Sequence, residues 1–407
     1  MRVLVISGAF PPMRIGEATN TFYLCQQLAG RGLDVYVLTT ERNGGPTGLP
    51  FNVYGVMRDW SWSELPRFTK VLRRCSPDAV LLMYIDFIYN DHPMITFAPT
   101  VSRRLLPRAP FITRFENPTI GSRQASLLTR CIRKCVMRWA GTKNVDYRFG
   151  TLLRDSQRII VLCNGHRESL SNRYPGADGK SVLIPPPPNI RMEPENNGMA
   201  RELGRSMLGV NTNDFVLVYL GYVYPYKGIE TLLKAFKMVS NEKNNVRLVL
   251  VGGSIDSLFP KENFQSYPRE MHELSKQLGI DHKITWTGEF RWDDEKASLY
   301  LHGADVCVLP FDIGVQLNNS SFSSVAAHGL PVITTEGLML DQVFVHNENV
   351  FLCPPKSPEA IAAAIMGLMD QPDLRQRLRM GALKLSQEWF SWESAISRTI
   401  QALSNAS

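Results

Sequence analysis

The segment LPFDIGVQLNNSSFSSVAAHGLPVITT (309–335) concentrates the groups best suited to holding an anion. Its pattern predicts a strand ending at Pro310, a polar loop, a short helix from about Ser321 to His328, and another buried strand. Asn318, Asn319, Ser320 and Ser321 are small residues of the kind that open helices. The backbone amides of such a helix start, reinforced by its dipole, form a cradle for phosphate. Simple capping would account for one of these residues. Four small polar residues in a row exceed what one cap needs.

A second candidate is Lys227 in LGYVYPYKGIETLLKAF (220–236), where Lys227 and Gly228 open a helix behind a strand. A lysine there reaches a diphosphate as a point charge. Lysines are usually solvated surface, but the glycine-punctuated setting argues for a role. In GAFPPMRIGEATN (8–20), Gly16 precedes another helix. It is either a phosphate contact at a helix start or a tight loop that needs glycine. Gly8 and Gly16 are too far apart for the dinucleotide fingerprint, so a dehydrogenase is disfavoured. No D-x-D stands at a strand end, and Asp293 and Asp294 read as the acidic start of a helix. The seven histidines form no ligand cluster, and His328 reads as a packed helix residue. No metal site is expected.

In SLLTRCIRKCVMRW (126–139), Leu128, Cys131, Ile132, Cys135, Val136 and Trp139 share one helical face. Arg130, Arg133, Lys134 and Arg138 lie opposite. This is either a helix on an anionic membrane surface or, as is usual in soluble domains, a helix packed on a sheet with a solvated basic face.

The elements that must position these groups are short apolar strands alternating with amphipathic helices. Candidate strands are 3–8, 34–39, 78–85, 110–115, 158–163 and 181–185, then 215–221, 246–253, 283–288, 305–311, 330–335 and 349–353. Helical patterns separate most of them, as at 18–32, where Phe22, Leu24, Cys25, Leu28 and Ala29 trace one face. Near-continuous apolar strands between helices imply parallel sheets covered on both faces. Pro185 to Pro188 interrupt the alternation with a stiff, extended run, followed by the polar RMEPENNG (191–198). The domain boundary is placed there. The last fifty residues read as helices at 357–370, 373–390 and 391–404.

The 407 residues suit two domains. With 44% hydrophobic and 20% charged residues, a long disordered region is disfavoured. No stretch reaches the length of a membrane span, and the N-terminus reads as a first strand rather than a signal peptide. Seven scattered cysteines without a CxxC pair favour a reducing cytoplasm over a disulfide framework. The net charge of +7 admits nucleic acid, anionic lipid or a phosphorylated ligand. A solvated basic surface explains it equally, and no interleaving of aromatic and basic residues supports nucleic acid.

In order and spacing, these residues resemble family 4 glycosyltransferases of the GT-B fold over nearly the whole chain, most strongly from about 213 to 392. Pro11, Pro12 and Gly16 resemble the family's PPxxGG turn. RGLDVYVLT (31–39) resembles its RGHxVxVLT, and GYVYPYKG (221–228) its GRLxxxKG. LVLVGG (248–253) and WTGEF (286–290) stand in the expected places. AHGLPVITT (327–335) is similar to its AxGxPVV strand, and EWFSWESA (388–395) to its late FSWE helix.

The resemblance implies an α/β chain of two Rossmann-like parallel-sheet domains facing a cleft. Residues 1–188 would take the acceptor, with a final helix of about 391–407 packing back on them. Residues 189–390 would take a nucleotide-sugar, the co-substrate, with no cofactor and no metal. The sugar would pass with retained configuration to a saccharide or lipid-linked acceptor in polysaccharide or glycoconjugate synthesis. The chain would work in the cytoplasm, with peripheral membrane contact through 126–139. Lys227 falls on the phosphate-binding lysine. Gly16 falls on one glycine of the turn, and the amides of Asn319, Ser320 and Ser321 on the diphosphate-holding helix start. Gly288, Glu289 and Phe290 fall where the base is contacted.

The chain also departs from the pattern. Tyr222 replaces a phosphate-binding arginine. Gln316 and Ser324 replace the E-x7-E glutamates that hold donor sugar and ribose. Glu116 falls near the acceptor-domain histidine and could orient acceptor or sugar. Glu17 replaces the second glycine of the turn. Each lost contact is worth on the order of 1–3 kcal/mol. A non-catalytic sugar-nucleotide binder or partner subunit is therefore the alternative. A sugar-nucleotide epimerase, which needs converging carboxylates and histidines, is less well supported.

Overall fold

The computed structural model of the chain describes residues 1–42, 48–118, 127–146, 148–194, 198–254, 262–290 and 294–404. Ser126, Asp293 and the side chains of Leu128 and Arg130 lie outside the described residues. The chain divides into two compact units, Met1–Pro185 with Trp392–Ser407, and Pro186–Ser391. The division thus falls inside the proline run, where the backbone can join neither a helix nor an inner strand.

In the first unit the strands are β1 (Arg2–Ile6), β2 (Asp34–Thr40), β3 (Asn52–Met57), β4 (Ala79–Tyr84), β5 (Phe111–Phe115), β6 (Arg158–Val161) and β7 (Ser181–Leu183). They form one parallel sheet in the order β3-β2-β1-β4-β5-β6-β7. In the second unit β8 (Phe215–Leu220), β9 (Val246–Val251), β10 (Ile284–Trp286), β11 (Val306–Leu309), β12 (Val332–Thr335) and β13 (Phe351–Cys353) form a parallel sheet ordered β10-β9-β8-β11-β12-β13. Each unit is Rossmann-like. The central strands are buried along their whole length, as β4 and β11 show, which is why they read as unbroken apolar runs.

β3 is the strand that sequence patterning missed. It is an edge strand, interrupted by Gly55 and buried fully only at Met57, so it lacks the apolar run that marks inner strands.

The Gly16–Gly30 helix buries Phe22, Leu24, Cys25 and Leu28 as its periodicity requires. The Pro358–Asp370 helix is capped by the Ser357 side chain, which accepts from the Ala360 amide at 3.2 Å.

The Leu127–Ala140 helix corrects the expectation that its apolar face packs on the sheet. Arg133 is buried, whereas Cys131, Ile132, Cys135 and Trp139 are exposed. The helix is held by guanidinium-to-carbonyl bonds, not by its apolar stripe: Arg133 donates to Asp146 O at 3.0 Å, Arg104 to Trp139 O at 2.8 Å and Arg154 to Ala140 O at 2.9 Å.

Candidate functional site

Each sheet changes direction beside its first strand, between β1 and β4 and between β8 and β11. Ligands of open α/β sheets bind outside the carboxyl ends of the strands at such a point. In the second unit β8 runs into the loop 221–228 and β11 into the loop 310–319.

The two loops interlock. The Asp312 amide donates to Tyr226 O at 3.1 Å. A Cβ on Gly228 would stand 1.8 Å from the Pro310 carbonyl oxygen, and its φ of 72° is left-handed, so only glycine fits there. At the far end of the loop, Ser321 Oγ would lie 3.0 Å from a Cβ on Gly221. The ends of β9 and β10 join the same group. The Val223 amide donates to Gly253 O at 2.9 Å. Gly252 bridges to Gly288, and Gly253 packs against Glu289. The fold thus gathers Tyr222, Lys227, Gly288, Glu289, Gln316 and Asn318 through Ser321 around the ends of β8 to β11. Phe290 is half-buried directly beyond Glu289.

Lys227 is half-buried between two aromatic rings. Its Nζ lies 5.1 Å from the Tyr224 centroid and 5.0 Å from that of Phe311. The rings hold the ammonium by cation–π attraction, and no carboxylate pairs with it among the described residues. The charge remains available to an anion.

The Ser320–Ala327 helix starts beside it. Asn319 stands at the N-cap but does not cap. Its side-chain oxygen instead accepts from the Gln316 amide at 2.7 Å. The loop is fixed further by Asp341, which accepts from the Leu317 amide at 2.8 Å. The Asn319 amide donates to Gln316 O at 3.1 Å, so of the three amides expected to hold a diphosphate it is already engaged. The helix start has no side-chain cap, and no acidic residue stands in its first turn.

The two positions read as substituted glutamates behave differently. Gln316 is half-buried, and its amide donates to Met339 O at 3.3 Å. Ser324 is 1% exposed and engaged inside the unit: its Oγ donates to Ser320 O at 3.0 Å and accepts from the Asn189 amide at 3.1 Å. Behind it, His328 donates from Nδ1 to Ser324 O at 2.7 Å. Its Nε2 then accepts from Ser298 Oγ at 2.8 Å.

Residues 201–384 match the glycosyl transferases group 1 family model. Every residue just described, apart from Asn189, lies within that group 1 segment. The chain is 26% identical over 196 residues to an uncharacterized glycosyltransferase of Methanocaldococcus jannaschii, covering 48% of this chain and 46% of that protein. It is 25% identical over 247 residues to the D-inositol 3-phosphate glycosyltransferase of Corynebacterium glutamicum, covering 59% and 55%. The chain thus spans about half the length of the curated relatives it matches. Among solved structures, the fold is similar to sucrose-phosphate synthase of Thermosynechococcus elongatus, with a TM-score of 0.70, 18% identity and 98% of each chain covered. It is also similar to Anabaena HepE in complex with UDP and glucose, with a TM-score of 0.71, 14% identity and full coverage of both chains.

Gly16, Glu17 and Glu116 lie outside the group 1 segment, in the first unit. Gly16 opens its helix at the carboxyl end of β1, with no side-chain cap from Ile15. Glu17 occupies the first turn. Its carboxylate suits the helix dipole but competes with any anion placed there. Gly16 is the first residue of its helix and is not among the glycines with a left-handed φ, so the reading of a tight loop that needs glycine finds no support there.

Glu116 directly follows β5, with its carboxylate 2.8 Å from the Arg114 guanidinium, which is itself buried. Burial pushes the carboxyl up and Arg114 pulls it down. Sequence reading missed Arg114, because a basic residue inside an apolar strand reads as noise until its partner is seen. It also missed Asp86, which stands two residues beyond the end of β4 and pairs with Arg148. Burial raises the Asp86 carboxyl and the arginine opposes it. Among the described residues, no three His, Cys, Asp or Glu side chains converge into a metal-binding group.

Proposed function

We propose that the chain is a glycosyltransferase. In this reading it moves a hexosyl group from a nucleotide-sugar to a saccharide or lipid-linked acceptor, with retained configuration and without a metal. One observation carries the reading: the interlock of the β8 and β11 loops puts the uncommitted charge of Lys227 on a loop laced to the start of the Ser320–Ala327 helix. Breaking the bond between sugar and diphosphate leaves negative charge on the leaving group. A fixed cation and a set of preorganised amides stabilise that charge as it develops, which is the largest kind of catalytic contribution. Gly288, Glu289 and Phe290 stand where the base would be gripped, and Gln316 can donate to or accept from a sugar hydroxyl. Tyr222 stands where the resembled family has its second phosphate cation, so Lys227 carries more of that work.

Polysaccharide or glycoconjugate assembly is the setting this reading favours. An acceptor carried on a lipid would require the enzyme to work at a membrane surface.

The test is a thermal unfolding series with nucleoside diphosphates and their sugars, in the absence of metal. A ligand at about 100 times its dissociation constant adds roughly 2.7 kcal/mol, so one base should stand out. Lys227→Ala should remove most of that shift and reduce turnover at least about tenfold, equivalent to about 1.4 kcal/mol. Unchanged turnover removes Lys227 from the mechanism. Proton NMR of the product's anomeric signal decides between retention and inversion.

The engagement of Ser324 favours a second reading, a binder that has lost transfer. It predicts a nucleotide shift with no product from any acceptor.

A further inference from the structure

The first sheet has its own switch point, between β1 and β4, and ligands of open α/β sheets bind outside the strand ends at such a point. There the chain is tightly held. The short turn Asp86–Tyr89 follows β4. Its Ile88 carbonyl oxygen would lie 2.1 Å from a Cβ on Gly8, so only glycine fits just beyond β1. The Tyr89 hydroxyl donates to Met83 O at 2.6 Å, and its ring packs edge-on against Trp60 with centroids 4.8 Å apart. Trp60, Asn90 and Asp91 adopt left-handed φ, at 58°, 55° and 52°. Asn90 ties the group together, donating to Asp59 O at 3.0 Å. Strained non-glycine residues gathered in one place mark a backbone that its surroundings enforce, and such strain clusters at ligand sites.

The charges beside this turn are matched in pairs. Asp86 pairs with Arg148, Glu116 with Arg114 at 2.8 Å, and Asp146 with Arg173 at 2.5 Å. Arg148 and Arg173 lie 5.4 and 5.3 Å from the ring centroid of Phe149, which packs on Tyr84 at the end of β4. At the end of β1, Glu17 stands in the first turn of the Gly16–Gly30 helix, and Arg14 before it is exposed and itself engaged. Burial raises the Asp86 carboxyl, Arg148 opposes it, and Asp91 adds to the rise. Among these described residues acid at least balances base. A phosphate placed here would bring charge that nothing offsets. A hydroxyl brings none, and it can donate to a carboxylate and accept from a guanidinium. The Asp86–Arg148 pair offers both partners side by side and is open to a ligand, its side chains 31% and 13% exposed. Asp146 is committed to its loop by the Arg148 and Phe149 amides, at 2.6 and 2.8 Å.

We propose that this switch point takes an uncharged, hydroxyl-rich acceptor, that Asp86 and Arg148 hold its hydroxyls, and that the balanced charge excludes phosphorylated acceptors. The inference deepens the transferase reading and rests on it only in calling the ligand an acceptor. Asp86 accepts from one hydroxyl and Arg148 donates to its neighbour, which is what adjacent hydroxyls of a pyranose ring require. Bonds to charged partners are short and directional. A ligand that lacks one of the two hydroxyls leaves a half-buried charge without its partner, so the pair selects as well as binds.

The experiment is saturation-transfer NMR of the full chain with the methyl α-glycosides of glucose, mannose and galactose, against the 6-phosphates of the same hexoses. At least one methyl glycoside should bind, and the matching 6-phosphate should bind at least about tenfold more weakly. Asp86→Asn keeps the size of the side chain and releases Arg148 from its counter-charge. It should weaken the glycoside about tenfold and strengthen the 6-phosphate by about as much, a gain that a loosened loop would not produce. Circular dichroism checks the fold. If Asp86→Asn does not fold, Arg148→Lys, which keeps the ion pair, should weaken the glycoside at least about threefold and still exclude the phosphate. Equal or tighter binding of a 6-phosphate to the unaltered protein, no binding of any glycoside, or glycoside binding that neither variant weakens would overturn the proposal. A glycoside that binds as expected without any nucleoside diphosphate shift would keep this site and remove the transferase reading. A nucleotide shift with transfer onto a hexose 6-phosphate would do the reverse.

Discussion

His328 shows how a buried side chain can act on a site it does not touch. Its neutral ring donates to Ser324 O and accepts from Ser298 Oγ, whose oxygen also accepts from the Glu193 amide at 2.9 Å. Protonation would turn the accepting nitrogen into a donor and break that chain. Burial pushes the ring down to about 4, and His166 shifts down to about 4 for the same reason. A base whose folded pKa is depressed adds stability above its unfolded pKa, near 6.5. That stability is lost as pH falls towards 4. Denaturant titrations should therefore show stability falling from pH 6.5 to 4, by up to about 3 kcal/mol per histidine. His328→Asn keeps a donor for Ser324 O and removes the titration, so it should flatten this slope by about half. An unchanged slope would mean that other groups govern the acid limb.

Among the elements, the loops at the ends of β8 and β11 do most to shape the site, and one glycine lets them meet. Gly228 combines a left-handed φ with a contact that leaves no room for a Cβ against backbone. Gly228→Ala must push Pro310 away and with it Phe311, one of the two rings beside Lys227. The expected cost is about 2–4 kcal/mol of stability, read as a lower unfolding midpoint. Nucleoside diphosphate binding should weaken beyond what that loss explains. A variant that binds normally would show that the interlock does not position the lysine. The motif GYVYPYKG signals a turn with a lysine, but not that its partner is a loop more than eighty residues downstream.

At the scale of the whole molecule, the chain closes its first unit with its last helix. Trp392–Ser404 packs on the Gly16–Gly30 helix, with Trp392 and Tyr23 ring centroids 6.1 Å apart and Glu393 paired with Arg31. Ile396 and Leu403 are fully buried. Burying such side chains is worth about 1.5–3 kcal/mol each. A chain ending at Ser391 should therefore lose at least about 3 kcal/mol from the first unit, seen as an early unfolding step. The second unit keeps all its strands, so its nucleoside diphosphate shift should persist. A single unfolding step at the original temperature would show that the helix contributes little.

The amino-acid sequence by itself determined every strand of the second parallel sheet and all but β3 of the first, and it marked a boundary at the proline run and two anion-binding candidates. These are local properties. A strand buried on both faces must be apolar along its length, and a helix start announces itself within four residues. Tertiary structure alone decided which side chains remained available. Ser324 is held by Asn189 from 135 positions away. Asn319 serves the loop rather than the helix, Glu116 faces Arg114, and the Leu127–Ala140 helix turns its apolar ridge outward. A hydrogen bond or ion pair requires two groups within about 3 Å, and local periodicity carries no information about a partner that the chain brings back from far along its length.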